Sequence, residues 1–573
     1  MTEAETSPIT TAPGDWSLRP WVLAALLGIA GLLIHLASDD AYNDPLRMAL
    51  TALCFFGPIA AAFTIDRKDY VAALIFAAIV GLVMAGIAWR ATSAGDRYSD
   101  QQFWVASGIL ACALALPLFQ AGFHKLRWKT SYLETHFHVW TDAITAAAAL
   151  AFVGLSWALI AILAALFDVI QISLLSDLLD KEWFGWIYSG ATFGAALGVL
   201  RNQLKIIGTL QSVVLLVLSI LAVPLAVALV LFLLAVIFSG IDVLWEATES
   251  ATPLLLACGV GAFVLTNAVV RDEDNAASGS RILRIAGFVL AIGILPLAIM
   301  ASLSMGTRVA QHGLSPERIW ALIAIAVAVA YGVGYFVSAI RGRKEGWRAH
   351  LRQSNLHLAA VTCIVAFLLA MPILNFGGIS TSNQLGRLES GEVSAKDFDY
   401  AALRWDFGEP GREALAELAK SDDAEIKDGA EIALAQDSRP YRYRPVEEET
   451  SDRDRRMANL RMDFDDPDLR RRVELTIANR RWNCDTPCVA IDTGASEGKH
   501  KVAILEQQRV FYLQVDLNQP LSELQADEFR AVEIAADTGG PTEDLTESSE
   551  VEIREWNGRR IYVDGKPIGQ PFE

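Results

Sequence analysis

The stretch IIGTLQSVVLLVLSILAVPLAVALVLFLLAVIFSGI, residues 206–241, runs 36 residues without a charged side chain. As a single helix it is about 54 Å long at ~1.5 Å per residue, against a hydrocarbon core of roughly 30 Å. It is either one long, tilted helix carrying Pro224 or two short spans meeting there. The choice makes the number of membrane crossings odd or even. It therefore decides on which side of the bilayer the C-terminal residues lie.

Working outward, apolar runs of spanning length recur at 20–37, 48–65, 70–89, 103–123, 143–167, 184–200, 211–241, 253–270, 282–301, 319–340 and 356–376. In lipid the backbone must satisfy its own hydrogen bonds, so these runs are expected to be helices. The first reads as a span and not a cleaved signal, because Glu3, Glu5 and Asp15 precede it with only Arg19 basic. Cytoplasmic loops are enriched in Lys and Arg. With 206–241 as one helix there are eleven spans, and the loop cations divide 16 on the N-terminal side against 6 on the other. With two helices the division is 10 against 12. The polarised solution predicts a cytoplasmic N terminus and a periplasmic tail.

Composition agrees. The 573 residues are 53% hydrophobic and 20% charged, with a mean hydropathy of +0.33 and a net charge of −18. Residues 377–573 hold 26 Lys+Arg and 42 Asp+Glu, so almost all of the acidity belongs to the tail. The expected organisation is a cytoplasmic leader (1–19), a transmembrane helical domain (20–376), a helical juxtamembrane part (377–436) and a soluble α+β domain (437–573). A disordered chain and a basic nucleic-acid binder are excluded. The arginines at 453, 455, 456 and 470–472 have acids interleaved, so no nucleic-acid partner is expected.

Within the spans, ionisable residues mark functional sites by default. Here His35, Asp66, Asp168, Asp242 and Glu246 stand at or beyond run ends, so no ion-coupled site emerges. Gly190, Gly194 and Gly198, four apart, put a small-residue stripe on one helix face. Packing inside the bundle is its simpler use and a homodimer contact the alternative. Residues 124–142 mix His124, His136 and His138 with Lys, Arg and Trp, which suits a headgroup-level segment better than a metal site.

The tail reads as helices at 398–407, 410–419, 422–435 and 468–481, then strands at 501–505, 510–515, 530–534, 551–556 and 560–563. Asn557-Gly558 signals a tight hairpin. Cys484 and Cys488 lie five residues apart inclusive of both ends, and a turn at 485–487 could close a disulfide. Free thiols or redox chemistry are the alternatives. Asp463, Asp465, Asp466, Asp468 and Glu474 echo a calcium loop, but Pro467 stands where a ligand belongs. Asp492-Thr493-Gly494 resembles an aspartic-peptidase signature, with Asp537-Thr538-Gly539 repeating it only 45 residues on. That chemistry needs two carboxylates sharing a proton, so Asp492 is a weak catalytic candidate. No metal or cofactor is expected.

Several stretches resemble a bacterial multi-pass membrane family catalogued as domain of unknown function 4153. They are 166–170, 240–245, 308–318, 384–391 and 398–404. The most specific is the polar inter-span element with Arg308, Gly313, Leu314, Ser315, Pro316, Glu317 and Arg318. The resemblance implies an inner-membrane location and no assigned activity. The expected protein is thus an all-α bundle of about eleven spans in a lipid bilayer, with a small α+β tail. The tail is expected to bind an envelope protein or ligand without catalysis. A transporter or channel with an accessory domain is the second expectation, and a membrane-tethered peptidase the third.

Overall fold

The computed structural model describes residues 16–38, 44–67, 69–240, 251–274, 280–436, 438–439, 455–479, 484, 486–496, 499–506, 509–517, 551–555, 559–563 and 566–572. Two compact units divide between Arg439 and Pro440.

The first unit is a helical bundle. Its long helices are α1 (Arg19–Ser38), α2 (Pro45–Thr64), α3 (Tyr70–Ala94), α4 (Gln101–Gln120), α5 (Tyr132–Val169), α6 (Glu182–Asn202), α7 (Leu204–Ser239), α8 (Thr252–Val270), α9 (Arg281–His312), α10 (Pro316–Arg341) and α11 (Arg343–Ala370). Ten of these, all but α6, are long and apolar enough to cross a membrane. The Trp, Tyr and Thr content of α6 lowers its hydropathy, yet it lies along α1 for its full length.

The decisive stretch is one helix. α7 spans 36 residues and runs through Pro224. Pro224 removes one backbone donor, and no Gly, Asn or Asp stands beside it to start a turn. Nearby, Ser219 Oγ bonds both Leu215 O at 2.6 Å and Ala268 O at 2.9 Å. α9 is the central helix, and its Leu290, Ala291, Leu297 and Ala301 are fully buried or nearly so. The last expected span ends early, at Ala370 and not 376, because Pro372 follows. The expected span at 143–167 starts eleven residues sooner, at Tyr132.

Contacts sort the loops to two ends. At one, Arg19, Asp66 and Arg201 meet, Lys125 pairs with Asp69 at 3.0 Å, and Arg352 pairs with Asp274 at 3.0 Å. At the other, Arg90 donates to Ala370 O, and four more helices pack there. These are α12 (Phe376–Glu389), α13 (Tyr400–Trp405), α14 (Gly408–Leu418) and α15 (Ala424–Leu434). Asn375, Asp399 and Asp423 cap α12, α13 and α15 through side-chain oxygens.

The second unit has a four-stranded sheet, β1 (Leu460–Met462), β2 (Cys488–Ser496), β3 (Lys499–Glu506) and β4 (Arg509–Asp516), in that order. β1 joins β2 in parallel and the other pairs are antiparallel. Side chains alternate across the sheet. Cys488, Ala490, Val502, Ile504, Leu513 and Val515 meet Leu469, Val473 and Ile477 of α16 (Pro467–Asn479). Val489, Ile491, Ala503 and Leu505 on the opposite face meet Ile561 and Val563 of a second sheet. That sheet is β5 (Val551–Glu555), β6 (Arg559–Val563) and β7 (Lys566–Phe572). β5 and β6 pair antiparallel across the Asn557-Gly558 position, which lies outside the described residues, as does the strand expected at 530–534.

Candidate functional site

The C terminus of α9 leaves carbonyls that its own helix cannot satisfy. Side chains from two other helices satisfy them. Arg387 Nη2 donates to Gln311 O at 2.7 Å. Gln384 Nε2 donates to His312 O at 2.8 Å and Leu314 O at 3.0 Å. Arg318 Nη1 donates to His312 O at 3.1 Å and Gly313 O at 2.8 Å. Leu314 N donates in turn to Asn383 Oδ1 at 2.8 Å. Gly313 has φ +69°, and a side chain there would strike Gln384 and Arg387. Ser315 caps α10 from Arg318 N, with Pro316 in the first turn. The 308–318 element is therefore a joint that fastens α12 to the bundle. A polar cavity of about 800 Å³ opens beside it, lined by Gln311, Asn383, Ser390, Arg387 and Glu392, the last two 3.3 Å apart.

The same end carries a second joint. Glu409 N donates to Arg97 O at 2.7 Å, and a Cβ at Gly408 would overlap that carbonyl. A Cβ at Gly377 would likewise overlap the Phe407 carbonyl. Next to these contacts Asp100 is 1% exposed, and its Oδ2 has no partner among the described residues. Arg90 lies 3.4 Å over the Trp104 ring, and Trp320 stacks on Phe103 and meets Phe376 edge-on. Burial pushes the Asp100 carboxyl above the usual range, opposed by Arg90 and the two indoles.

At the opposite end, buried polar groups form two clusters. Arg19, fully buried, bonds Asn202 Oδ1 at 2.9 Å, Arg201 O at 3.0 Å and Asp66 Oδ1 at 3.2 Å. Arg201 bonds the carbonyls of Ala62 and Ile65. Nearby, Gln120 Nε2 bonds Phe63 O at 2.9 Å and Asp142 Oδ1 at 3.3 Å. The second cluster is a closed ring. Tyr335 Oη donates to Asn355 Oδ1 at 2.6 Å, Asn355 Nδ2 to Asn267 Oδ1 at 2.6 Å, and Asn267 Nδ2 to Tyr335 Oη at 2.7 Å. Asp142 is the deepest carboxylate by residue count, yet it touches Gln120, the last residue of α4.

The family model described as Domain of unknown function (DUF4153) matches residues 46–418. The chain belongs to that family. The DUF4153 region takes in α2 through α14, so both joints lie inside it, whereas the sheet domain lies beyond it. No curated protein and no solved structure matches the chain.

Other sequence candidates separate in space. Gly190, Gly194 and Gly198 lie against the backbone of Leu27, Leu23 and Pro20, so the stripe of this DUF4153 protein is filled by its own α1. Cys484 and Cys488 are disulfide-bonded, with Cα atoms 5.3 Å apart. Asp466 caps α16 through the N–H groups of Asp468 and Leu469, which accounts for the acid-rich stretch there. Asp492 Oδ2 lies 2.9 Å from His500 Nδ1, and its Oδ1 accepts from Gly494 N at 2.9 Å. Its repeat at 537–539 lies outside the described residues. Sequence reasoning missed Asp100, Arg90 and the buried roles of Arg19 and Arg201. The one available signal was that each adjoins an apolar run.

Proposed function

We propose that this DUF4153-family chain is an inner-membrane protein with its N terminus in the cytoplasm and residues 377–573 in the periplasm. Its C-terminal domain binds an envelope protein or ligand, and the bundle anchors that event. The observation that carries the reading is the pair of joints holding 376–434 to the end of the bundle remote from Arg19. Combined with the 16-to-6 division of cations between the two sides, which remains 14 to 6 without the inward-pointing Arg19 and Arg201, they support a tail on the side away from the cytoplasm. The contacts made by Asp492 favour binding over peptide cleavage, since its carboxylate is already engaged by His500 and Gly494.

The bundle serves as an anchor and not a carrier on this reading. Charged residues and histidines of the spans gather toward helix ends, and the deepest two illustrate it. Asp142 sits against the end of α4, and His357 against Trp128 in the loop that follows α4. Coupled transport draws on carboxylates near the midplane. Fusing alkaline phosphatase or a cytoplasm-only fluorescent protein to the C terminus tests the orientation. Phosphatase activity without fluorescence is expected, and the reverse sinks the reading. Photo-crosslinking of the full chain from exposed Gln514 in cells tests binding. A discrete envelope adduct is expected, and its absence from several exposed tail positions would count against a binding role.

A further inference from the structure

The polar cavity of about 800 Å³ between the end of α9 and one face of α12 has the size of a small-ligand site. Ser382, Gly386 and Ser390 follow one another at four-residue steps along α12 and its cap, with Asn383 and Arg387 beside them. That spacing puts all five on one wall, about 12 Å long at ~1.5 Å per residue. A Cβ at Gly386 would meet nothing within 4 Å, so the wall is recessed there.

The lining groups keep hydrogen-bonding capacity that the joint does not use. Arg387 spends Nε on Glu392 Oε2 at 3.3 Å and Nη2 on Gln311 O at 2.7 Å, and its Nη1 has no partner among the described residues. Asn383 spends Oδ1 on Leu314 N at 2.8 Å, which leaves its Nδ2. Neither Arg387 Nη1 nor Asn383 Nδ2 is occluded. Gln311, Ser382 and Glu392 are exposed. The Gln311 carboxamide, the Ser382 hydroxyl and Glu392 Oε1 make no hydrogen bond among the described residues.

Charge decides the class of ligand. Within the cavity Arg387 and Glu392 balance one another. An entering cation would meet Arg387 together with Arg318, since both are bound to the last carbonyls of α9. An entering anion would meet Glu392 and the negative end of α9. None of the described lining residues is aromatic, so a base or other flat ring has nothing to stack on. A neutral ligand dense in groups that both give and accept hydrogen bonds remains, and a hydroxyl is such a group. Of two hydroxyls on neighbouring carbons, one can accept from Arg387 Nη1 while the other donates to Glu392 Oε1. The carboxamides of Gln311 and Asn383 serve further hydroxyls along the wall, and the recess at Gly386 admits a ring against the helix backbone.

We propose that this cavity binds a neutral oligosaccharide through its vicinal hydroxyls. The proposal names a ligand class for the envelope-binding reading and rests on that reading only for where the sugar is met.

The test uses the full-length protein in a detergent without a sugar headgroup. Calorimetric titration and the thermal midpoint report binding of maltotriose and chitotriose, anionic sialyllactose, the cationic chitosan trimer and a blocked neutral tripeptide. At least one of the neutral trisaccharides should bind and raise the midpoint, and the other three probes should not. Gly386→Leu fills the recess without striking a neighbour, so it should abolish binding and leave the ligand-free midpoint unchanged or higher. Gln311→Ala spares the joint, which uses only the Gln311 carbonyl, and should weaken binding about fivefold, the scale of one neutral hydrogen bond. Glu392→Gln should weaken the neutral sugar and admit sialyllactose. Absence of binding by both neutral trisaccharides overturns the proposal. So does tighter binding of a charged sugar or the peptide to the wild type, or neutral-sugar binding unchanged by Gly386→Leu. A cytoplasmic C-terminal reporter would sink the orientation and leave these binding results standing.

Discussion

The guanidinium of Arg19, wholly buried, lies 3.2 Å from the carboxylate of Asp66, which is about a quarter exposed. Both flank apolar runs, and their pairing draws the first residues of α1 onto the end of α2. Removing only the acid leaves a buried cation with carbonyl and amide partners but no counter-charge. Asp66→Ala should therefore cost about 2–3 kcal/mol, somewhat below a fully buried pair. Arg19→Met, which removes the charge and keeps the packing, should cost less. Thermal unfolding of the two variants in the same detergent checks the order, and a greater loss in Arg19→Met would refute it.

The Tyr335–Asn355–Asn267 ring is closed, with each side chain giving and receiving one short hydrogen bond. Tyr335→Phe removes one donor and one acceptor together. It should cost about 1–3 kcal/mol, the penalty for stranded buried partners. The loss should be strongly non-additive with Asn355→Leu, by about 0.5–3 kcal/mol in a double-mutant cycle. Additive effects would mean the ring does not act as a unit.

Gly194 and Gly154 separate close packing from glycine as such. A Cβ at Gly194 would overlap the Leu23 carbonyl, while one at Gly154 meets nothing within 4 Å. Gly194→Ala should destabilise by about 1–3 kcal/mol, the range for overpacking. Gly154→Ala, in the interior of a helix, should be neutral or gain up to ~1 kcal/mol. Comparable losses at both positions would remove α1 from the account of the stripe.

The spans were legible because a bilayer demands some twenty apolar residues and nothing subtler. Their polar extensions were not. Residues 132–142 read as headgroup-level sequence, yet α5 already runs through them. Thr135 and Thr145 return their hydroxyls to carbonyls one turn back, and His136 is buried by neighbouring helices. α12 carries little apolar periodicity, and much of its place comes from Asn383, Gln384 and Arg387 reaching the end of α9, a long-range match no local pattern encodes. Arg19 and Arg201 entered the charge count as loop cations, although both point inward. In the tail, Asp492-Thr493-Gly494 reads as a turn after a strand. Instead β2 continues to Ser496 through a register shift between Asp492 and Ala495, because Thr493 Oγ1 bonds Lys501 O across the irregularity.

Asp100 makes the end of the bundle bearing α12–α15 sensitive to pH. Its carboxyl titrates above the ordinary range because burial disfavours the charged form more than Arg90, Trp104 and Trp320 favour it. Asp399, which caps α13 at the same end, is raised for the same reason. The folded state then holds protons that the unfolded chain has released. This stabilisation is fully present below the unfolded carboxylate value near pH 4 and is lost as pH rises through the elevated folded value. The contribution of Asp100 is isolated by the difference in thermal midpoint between wild type and Asp100→Asn, which should become more negative as pH is raised from about 4 toward 7. Asp100→Asn, which mimics the neutral form, should raise the midpoint at neutral pH. Tryptophan emission gives a local readout, since Trp104 and Trp320 border the carboxyl. It should shift with pH in the wild type and stay constant in Asp100→Asn. A variant that keeps the wild-type dependence would place the titration elsewhere.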